Sequence, residues 1–537
     1  MKIIIAWLAL LLFGSPCFLV AQGDLPSDYL SPEFHAGRRE AFRAMMPEHS
    51  VALIFSYSTR TFSQDVDYVY HPNPDLYYLT GYKEPNAVLV LFKDDQHDKG
   101  SSYHEIFFVQ KRDSSEEQWT GRRLGVAGVQ STLGIKNVFE GKTFKSFPID
   151  FSAQQKILFS PFPSDVKDER DTAGLFDLVQ QFKVKAGFPA DYDPELASMQ
   201  TNVVVYSKYF KDMQGYLKEA MATNEKYKNV AWINEMINVK DSTEQVRFLD
   251  KLKKIRYDNY DFAGILNKLR GIKTDDEMKL LRKAVQISSI AHKVAMQTMN
   301  PDMSEREIQG VQEFVHKKYG AEEVGYGSIV GAGPNGCILH YENNDRLHVG
   351  NQLVLMDVAA EYHGYSADVT RTAPANGKFS PEQKTIYDIV YEAQEDIFKI
   401  CRPGIPTDSL QQTARAHIAK ALIKLGIITK TNEVDTYYPH GCSHHLGLDV
   451  HDRGDYDTLT KGMVITVEPG IYIREGSACD KKWWGIGVRI EDDILITNTG
   501  YELLSYMAPR KSEDVEKVMT NKSALHGFEV PVLPGSK

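Results

Sequence analysis

Val354-Leu-Met-Asp-Val-Ala-Ala-Glu-Tyr-His-Gly-Tyr-Ser-Ala-Asp-Val-Thr-Arg371 is the most informative stretch of this 537-residue chain. Two alternating runs of apolar and polar residues flank a short polar turn, and this pattern predicts a β-hairpin. With the turn centred between Tyr362 and His363, the numbers of cross-strand partners sum to 725, which places Asp357 directly opposite Asp368. Like charges ~4.5–5.5 Å apart at Cβ repel, so this pairing is destabilising unless a cation lies between them. Two divalent metal ions ~3.5–4 Å apart would convert the repulsion into coordination.

A histidine cluster and two further acidic strands follow the hairpin. The segment His440-Gly-Cys-Ser-His-His-Leu-Gly-Leu-Asp-Val-His-Asp452 holds four of the chain's 16 histidines within its first twelve positions. Such a cluster beside glycines indicates metal binding or proton transfer. Two strands with a buried pattern then deliver Glu468 and Glu491, and Arg489 shares the face of Glu491. These groups weigh against the alternative that the hairpin aspartates are simply solvated.

The C-terminal half shows a weak internal repeat in the order of its helix and strand patterns. Capping boxes, in which a Ser or Thr is followed three positions later by Glu or Gln, begin helices after Thr274, Ser304 and Ser380. Thr407 begins a fourth helix. Two helix pairs, each followed by strands, predict a duplicated α+β unit with a central antiparallel sheet covered by helices. The other face of that sheet is free for a site between the halves.

The N-terminal half has a different sequence pattern, with short apolar runs separated by polar turns. These runs predict buried strands at Val51–Phe55, Ala87–Phe92, Glu105–Gln110 and Lys156–Ser160. We predict an α/β domain over residues 28–235, a helical linker over 236–273, a catalytic domain over 274–512 and a tail over 513–537. The stretch from about 165 to 240 is rich in insertions.

The first 21 residues are predicted to be a secretory signal. Lys2 precedes an uncharged apolar run from Ile3 to Phe13, and cleavage is expected near Ala21–Gln22. The run has 11 residues, against the ~20 that a spanning helix needs, so an uncleaved anchor is the less favoured alternative. Export to the periplasm or the medium is expected, with no membrane span afterwards.

Composition excludes several classes of protein. Hydrophobic residues at 42% and charged residues at 25% are typical of a globular chain. With 62 basic against 72 acidic residues the net charge is −10, so nucleic acid is not an expected partner. Four cysteines beyond the signal are too few for a disulfide scaffold, although one or two bridges are compatible with export.

These residues resemble the metallopeptidases of the pita-bread fold and, within them, the Xaa-Pro aminopeptidases, also called aminopeptidase P. The resemblance is strongest from His340 to Glu491. It extends to Asn73-Pro-Asp-Leu-Tyr-Tyr-Leu-Thr-Gly81 and Trp119-Thr-Gly-Arg-Arg-Leu-Gly125, which look like the family's creatinase-type N-terminal domain. It therefore implies a C-terminal pita-bread domain with pseudo-twofold helix pairs around an antiparallel sheet, preceded by an α/β domain.

The resemblance also implies the roles of individual residues. Five are expected to bind two divalent metals: Asp357, Asp368, His444, Glu468 and Glu491. Glu468 is also the expected general base. Further catalytic or substrate contacts are expected from His340, His440, His451, Tyr472 and Arg489. Trp119 is expected to line the site of a neighbouring subunit in a homo-oligomer, a dimer or a tetramer.

The implied function is release of the N-terminal residue from peptides with proline in second position. A hydroxide bridging the two metals is expected to attack the peptide carbonyl. Four carboxylates and one imidazole form a hard site that suits Mn²⁺ and is compatible with Co²⁺, Fe²⁺ or Zn²⁺. Two alternatives are open: a prolidase that cleaves Xaa-Pro dipeptides, and an inactive relative that uses the groove as a binding module.

Overall fold

The structure is a computed structural model that describes residues 26–98, 101–163, 174–190, 192–253 and 256–528. The predicted signal sequence and the last nine residues of the predicted tail lie outside the described residues. The helices are α1 Pro32–Met45, α2 Pro74–Thr80, α3 Ser114–Thr120, α4 Gly125–Leu133, α5 Leu175–Ala186, α6 Pro194–Val205, α7 Phe210–Thr223, α8 Glu225–Lys228, α9 Ala231–Ile237, α10 Ser242–Leu252, α11 Tyr260–Gly271, α12 Asp275–Thr298, α13 Glu305–Lys318, α14 Pro381–Phe398, α15 Asp408–Lys424 and α16 Ser512–Thr520.

The strands alternate with these helices in both halves of the chain. They are β1 Ser50–Phe55, β2 Thr61–Ser63, β3 Val66–Asp67, β4 Val88–Asp98, β5 Ser101–Val109, β6 Val138–Glu140, β7 Lys156–Phe159, β8 Tyr257–Asp258, β9 Glu323–Val324, β10 Ile329–Ala332, β11 Leu353–Asp357, β12 Ala360–Tyr362, β13 Tyr365–Ser366, β14 Thr370–Pro374, β15 Val464–Val467, β16 Gly470–Ile473, β17 Ile486–Arg489, β18 Asp492–Ile496 and β19 Tyr501–Leu503.

A six-stranded mixed sheet forms the N-terminal half, in the order β6-β5-β4-β1-β7-β8. Its centre is β1, which runs antiparallel to β4 and parallel to β7. Every residue of β1 is buried, as expected for a strand covered on both faces. The four strands predicted from the apolar runs are all present, as β1, β4, β5 and β7.

The segments at the predicted domain edges are tied to the sheet and the core. The stretch predicted as a helical linker contains α10 and α11, and between them β8 pairs with β7 at the edge of the N-terminal sheet. In the predicted tail, α16 buries Val515 and Met519 in the C-terminal core. Helices α6 to α10 surround a small core of their own in the insertion-rich stretch.

The four predicted C-terminal helices all form. Thr274, Ser304 and Ser380 make complete capping boxes at the starts of α12, α13 and α14. Thr407 precedes α15, but its side chain makes no capping bond because its backbone is already helical, with φ −59° and ψ −36°. Helix α12 packs against α13, and α14 packs against α15.

The C-terminal strands are all antiparallel, as predicted, and they form four small sheets. Two of these, β10-β11-β14 and β13-β12-β9, share the predicted hairpin, and the other two are β15-β18-β19 and β16-β17. One large apolar core lies between these strands and helices α13 to α16. The fold is therefore α+β in this half, with the hairpin at its centre.

The predicted register of the hairpin is wrong by one residue on each strand. Asp357 pairs with Thr370 and not with Asp368, and Tyr362 pairs with Tyr365. The turn is centred between His363 and Gly364, whose φ angles are 51° and 85°. A two-residue turn that matches strand twist needs positive φ at both central positions, and Gly364 adopts it without strain. Moving the turn by one position changes the sum of paired residue numbers by an even amount. Both aspartates therefore still lie on the same face of the hairpin, as diagonal neighbours.

Within the described residues, no helix is both long enough and apolar enough to cross a membrane.

Candidate metal centre

All five predicted metal ligands line one cavity of about 560 Å³. Asp357 ends β11 and Asp368 precedes β14, so the hairpin carries both aspartates. Glu468 follows β15 directly, and Glu491 lies between β17 and β18. His444 enters from the loop before β15. Ligand atoms of Asp368, His444 and Glu491 all lie within 4.8 Å of one another, which is close enough for one ion.

Tyr326 holds the two hairpin aspartates together. Its hydroxyl lies 2.5 Å from Asp357 Oδ1 and 2.7 Å from Asp368 Oδ1. Only one of the two contacts receives the phenolic proton at a time, because a hydroxyl has a single hydrogen. On the other side, Arg489 Nη2 donates to Asp357 Oδ2 at 2.5 Å. Asp357 is thus fixed from two directions.

The histidine is oriented as a metal ligand should be. His444 Nδ1 lies 3.0 Å from the carbonyl oxygen of His445, so Nδ1 carries the proton and donates it to this carbonyl. Nε2 then faces the acids, at 3.4 Å from Asp368 Oδ2 and 3.5 Å from Glu468 Oε1. A backbone carbonyl that fixes the tautomer in this way is a common feature of metal-binding histidines.

Burial and mutual repulsion raise the pKa values of the acids in the cavity. Burial, with Asp368 nearby, raises the pKa of Glu468 to about 8. Burial and three neighbouring carboxylates raise the pKa of Glu491 well above its usual range. Burial would lower the pKa of His444, but Asp368 and Glu468 raise it to about 9. Carboxylates in such a place are held as anions only by compensating cations.

The donor set therefore fits divalent cations. Four carboxylates and one imidazole converge in a cavity where the protein supplies one guanidinium, that of Arg489. Carboxylate oxygens with a single nitrogen suit hard or borderline ions, and the absence of a sulfur ligand among the five disfavours soft ones. Within the described residues, Asp368, His444 and Glu491 of this set are the group whose ligand atoms lie close enough together to hold one metal ion.

Arg489, Tyr472 and His440 form a hydrogen-bonded chain beside the acids. Arg489 Nη1 donates to the Tyr472 hydroxyl oxygen at 2.9 Å. The hydroxyl in turn donates to His440 Nε2 at 2.8 Å, because His440 Nδ1 already donates to the carbonyl of Gly441. Burial lowers the pKa of His440 to about 4, so its ring is neutral at physiological pH. Tyr472 is buried behind the cavity wall, whereas His440 lines it.

The other predicted site residues lie in different places. His340 and His451 line the cavity with exposed side chains, and the His451 ring lies 4.0 Å from that of His444. Trp119 lies on α3 of the N-terminal half, with 88% of its surface exposed, and it does not line the cavity. Its predicted role in a neighbouring subunit stays a prediction.

Three residues of the site had no role in the sequence prediction. Besides Tyr326, these are Thr370, whose hydroxyl donates to Glu491 Oε2 at 2.6 Å, and Asp493. Asp493 Oδ2 accepts the backbone N–H of Asp368 at 3.0 Å. Thr370 and Asp493 are each two positions from a predicted ligand. Side chains two positions apart in a strand point to the same face, and this spacing is the signal that could have identified them. Tyr326 had no such signal.

The four described cysteines beyond the signal, at positions 337, 401, 442 and 479, are all unpaired. Cys337, Cys401 and Cys442 are buried, and burial raises the pKa of each thiol to about 12 or beyond. They are therefore small buried residues and not nucleophiles.

Comparisons with known proteins agree with this geometry. Residues 279–498 match the sequence family described as Metallopeptidase family M24, and residues 35–159 match the N-terminal domain of aminopeptidase P. The Xaa-Pro aminopeptidase of Escherichia coli is 34% identical over 90% of this chain and 96% of its own length. The Xaa-Pro aminopeptidase of Haemophilus influenzae is 32% identical over 93% of this chain and 99% of its own length.

Solved structures show the same similarity in three dimensions. Aminopeptidase P of Escherichia coli with the inhibitor Pro-Leu superposes with a TM-score of 0.69 at 30% identity, over 92% of this chain and 99% of that one. A zinc-substituted form of that enzyme in complex with product gives the same values. The chain therefore belongs to metallopeptidase family M24 and, within it, to the Xaa-Pro aminopeptidases.

Proposed function

We propose that this protein is a metal-dependent exopeptidase that releases the N-terminal residue from peptides with proline in second position. The observation that carries the proposal is the convergence of Asp357, Asp368, His444, Glu468 and Glu491 on one cavity. An inactive relative would have no need to keep four buried acids together, since unpaired buried charges cost several kcal/mol each. Relatives at 34% and 32% identity bear the name Xaa-Pro aminopeptidase.

The position of each side chain in the site suits it to one role in the hydrolysis. Divalent cations held by the five ligands supply Lewis acidity and lower the pKa of water toward neutrality. Glu468 is the general base that takes a proton from the attacking water, since its carboxylate lies at the wall of the cavity beside the other ligands. His451 lies at the cavity wall, where an imidazole N–H can stabilise the developing oxyanion, whereas both ring nitrogens of His440 are already bonded, to Gly441 and Tyr472.

Arg489 has a positioning role in this scheme. Each of its three guanidinium nitrogens donates one hydrogen bond, to Thr370, Tyr472 and Asp357, at 2.5 to 3.2 Å. It therefore holds the first aspartate and fixes Tyr472, and through Tyr472 it fixes the tautomer of His440. In that tautomer His440 Nε2 is an acceptor.

Proline specificity follows from a site that does not depend on an amide hydrogen. The nitrogen of an Xaa-Pro bond carries no hydrogen, so enzymes that bind that N–H are poorly suited to it. His340 and His451 line the cavity and are exposed, so the cavity is open to solvent on their side. This openness favours an aminopeptidase over an enzyme restricted to dipeptides.

We infer that the resident metal is Mn²⁺, because an oxygen-rich set with one imidazole suits a hard divalent ion. Co²⁺, Fe²⁺ and Zn²⁺ are compatible with the same ligands. We also propose that the chain is exported after cleavage near Ala21, on the evidence of its apolar N-terminal run.

A homo-oligomer is proposed from an apolar surface of the N-terminal half. The β2–β3 hairpin exposes Phe62 at 64%, Tyr68 at 58% and Val69 at 76%, and Trp119 is exposed at 88%. The two regions share Glu84: Tyr70, just beyond the hairpin, donates to its backbone carbonyl, and Leu124, just beyond α3, donates its N–H to the carboxylate. Grouped apolar side chains of this kind mark association surfaces.

The test uses purified protein that has been stripped with a chelator and reloaded with Mn²⁺. We expect it to release the N-terminal residue from Xaa-Pro-Yaa tripeptides and to leave Xaa-Ala-Yaa peptides intact. Glu468→Gln should lower kcat by about 10²- to 10⁴-fold, the usual contribution of a general base. Glu342→Gln changes a carboxylate of the same cavity that is not a predicted ligand, and it should keep most of the activity.

The contrary outcomes are distinct. Cleavage confined to Xaa-Pro dipeptides would establish a prolidase. No cleavage of any peptide by protein that carries two metal ions would establish a binding module instead.

A further inference from the structure

The strand pairing of the hairpin is interrupted where its aspartates lie. Residues 358–359 and 367–369 belong to no strand, although β11 pairs with β14 on one side of the gap and β12 pairs with β13 on the other. Val358 and Val369 face each other in this gap, and each directly follows one of the two aspartates. Their one direct backbone bond, from Val358 N to Val369 O, is 3.4 Å long.

Helix α12 supplies the missing hydrogen bonds. His292 Nε2 lies 3.0 Å from the carbonyl oxygen of Val358 and 2.8 Å from that of Val369. One turn earlier on the same helix face, Ser288 Oγ accepts the N–H of Ala360 at 2.9 Å. His292 and both valines are fully buried, so water does not replace these bonds.

The protonation of His292 is fixed by Gln312 on α13. Nε2 must carry the hydrogen, because both of its neighbours are carbonyl acceptors. Nδ1 is then an acceptor, and Gln312 Nε2 lies 3.2 Å from it as the donor. Burial lowers the pKa of His292 to about 3, so the ring stays neutral. Gln312 is itself fully buried.

We propose that His292 and Gln312 are positioning residues that hold Asp357 and Asp368 at the separation needed to bind two divalent metal ions. This proposal rests on the proposed function. One imidazole N–H binds the carbonyl of the residue that follows each ligand, so it restrains both strands directly beside the aspartates and thereby the direction of the aspartate side chains. Residues that support metal ligands from behind usually change metal affinity by about 10- to 100-fold when altered.

His316 provides a matched control for a purely structural effect. It is also a buried histidine of the α12–α13 pair, and neither of its ring nitrogens has a hydrogen-bond partner among the residues that the structure describes. Burial lowers its pKa to about 4, as it does for His292. If His292 acted only by filling the core, leucine at either position should have a similar effect.

The test measures Mn²⁺ binding by titration calorimetry to chelator-stripped full-length protein and needs no peptide. We expect His292→Leu to raise the Kd for Mn²⁺ by about 10- to 100-fold, and His316→Leu to leave it unchanged. His292→Gln places an amide NH₂ near the position of Nε2, with one hydrogen for each carbonyl, and should restore Kd to within about threefold of wild type. At saturating Mn²⁺ the kcat of His292→Leu should recover most of its loss.

Equal Mn²⁺ affinity of wild type and folded His292→Leu would overturn the proposal, and so would an equal loss in His316→Leu. If His292→Leu does not fold, Gln312→Leu tests the same chain of contacts because it leaves the imidazole in place. Gln312→Leu should raise the Kd for Mn²⁺ several-fold, because the tautomer of His292 is then no longer fixed. An unchanged Kd in this variant would also overturn the proposal. Normal metal effects without peptide hydrolysis would instead refute the proposed function alone.

Discussion

Asp452→Asn removes a buried charge that joins the two halves of the molecule next to the candidate site. Asp452 directly follows His451, and both its carboxylate oxygens are used: Lys273 Nζ donates to Oδ2 at 2.7 Å, and Arg270 donates to Oδ1. Arg270 also donates to Asp75 of α2 at 2.5 Å. The side chains of Asp452, Arg270 and Lys273 are each at most 1% exposed. Their charges are therefore little screened by water.

The size of the effect follows from the pKa of Asp452. Burial alone would raise the pKa of the carboxyl, but Arg270 and Lys273 outweigh burial and lower it from 3.8 to about 2. A depressed pKa stabilises the fold above the unfolded value near 4, and this stability is lost as pH falls through the folded value. The difference corresponds to about 2 kcal/mol at pH 7 and about half of that at pH 3. The substitution would also leave buried Lys273 without the charge of Asp452, while Arg270 keeps Asp75, and this would increase the loss at pH 7 toward about 3–5 kcal/mol.

Urea unfolding of wild type and Asp452→Asn at pH 7, 5 and 3 measures both the loss and its pH dependence. We expect the difference between the two proteins to be nearly constant from pH 7 to 5 and to shrink by pH 3. Asp457→Asn is the matched control in the same loop, because its side chain is 89% exposed and lies 4.0 Å from its partner Lys208. Exposed pairs of this kind contribute about 0–1 kcal/mol. A loss in Asp452→Asn no larger than in Asp457→Asn would refute the reasoning, as would a difference that is the same at pH 3 and pH 7.

Two further predictions concern metal and association. Removal of divalent metal should lower the free energy of unfolding by about 2–3 kcal/mol for each bound ion, relative to protein with metal at 100 times Kd, because four buried acids lose their compensating charge. Differential scanning calorimetry with and without chelator measures this, and an unchanged Tm would contradict the charge argument. Phe62→Ser should shift the protein to a smaller mass in size-exclusion chromatography with light scattering, because it removes an exposed apolar side chain from the proposed association surface. Wild-type protein that runs as a monomer would contradict the oligomer.

Most of the site could be predicted because the patterns that identify its residues lie within short stretches of the sequence. The period of a strand placed Arg489 and Glu491 on one face, and the structure shows both at the cavity wall. The three capping boxes predicted the starts of α12, α13 and α14, since a cap depends on four consecutive positions. The family resemblance supplied the remaining roles.

The register of the hairpin could not be predicted from alternation alone. Alternation decides which face a side chain occupies, and on this point the sequence prediction was right for Asp357 and Asp368. The partner of each residue depends on the turn, and a turn one position later places Gly364 where positive φ is needed. Attention to this glycine would have given the pairing of Asp357 with Thr370.

Contacts between residues that are far apart in the chain could not be predicted from the sequence. His292 stands at a core position of an amphipathic helix, where its sequence pattern is that of an ordinary buried residue. Tyr326 lies 31 residues before Asp357, in a turn between two glycines. Only the fold shows that both residues contact the hairpin that carries the aspartates.

The charge of the cavity argues for two metal ions in preference to one. Asp357, Asp368, Glu468 and Glu491 carry four negative charges when ionised, and Arg489 is the cation that contacts them. Asp493 is not part of this count, because it does not line the cavity and its carboxylate accepts the backbone N–H of Asp368. With one divalent ion the cavity stays negative and opposes the formation of a further anion. With two ions the cavity would have a single positive charge in excess, and this excess would favour the loss of a proton from water in the cavity, which hydrolysis requires.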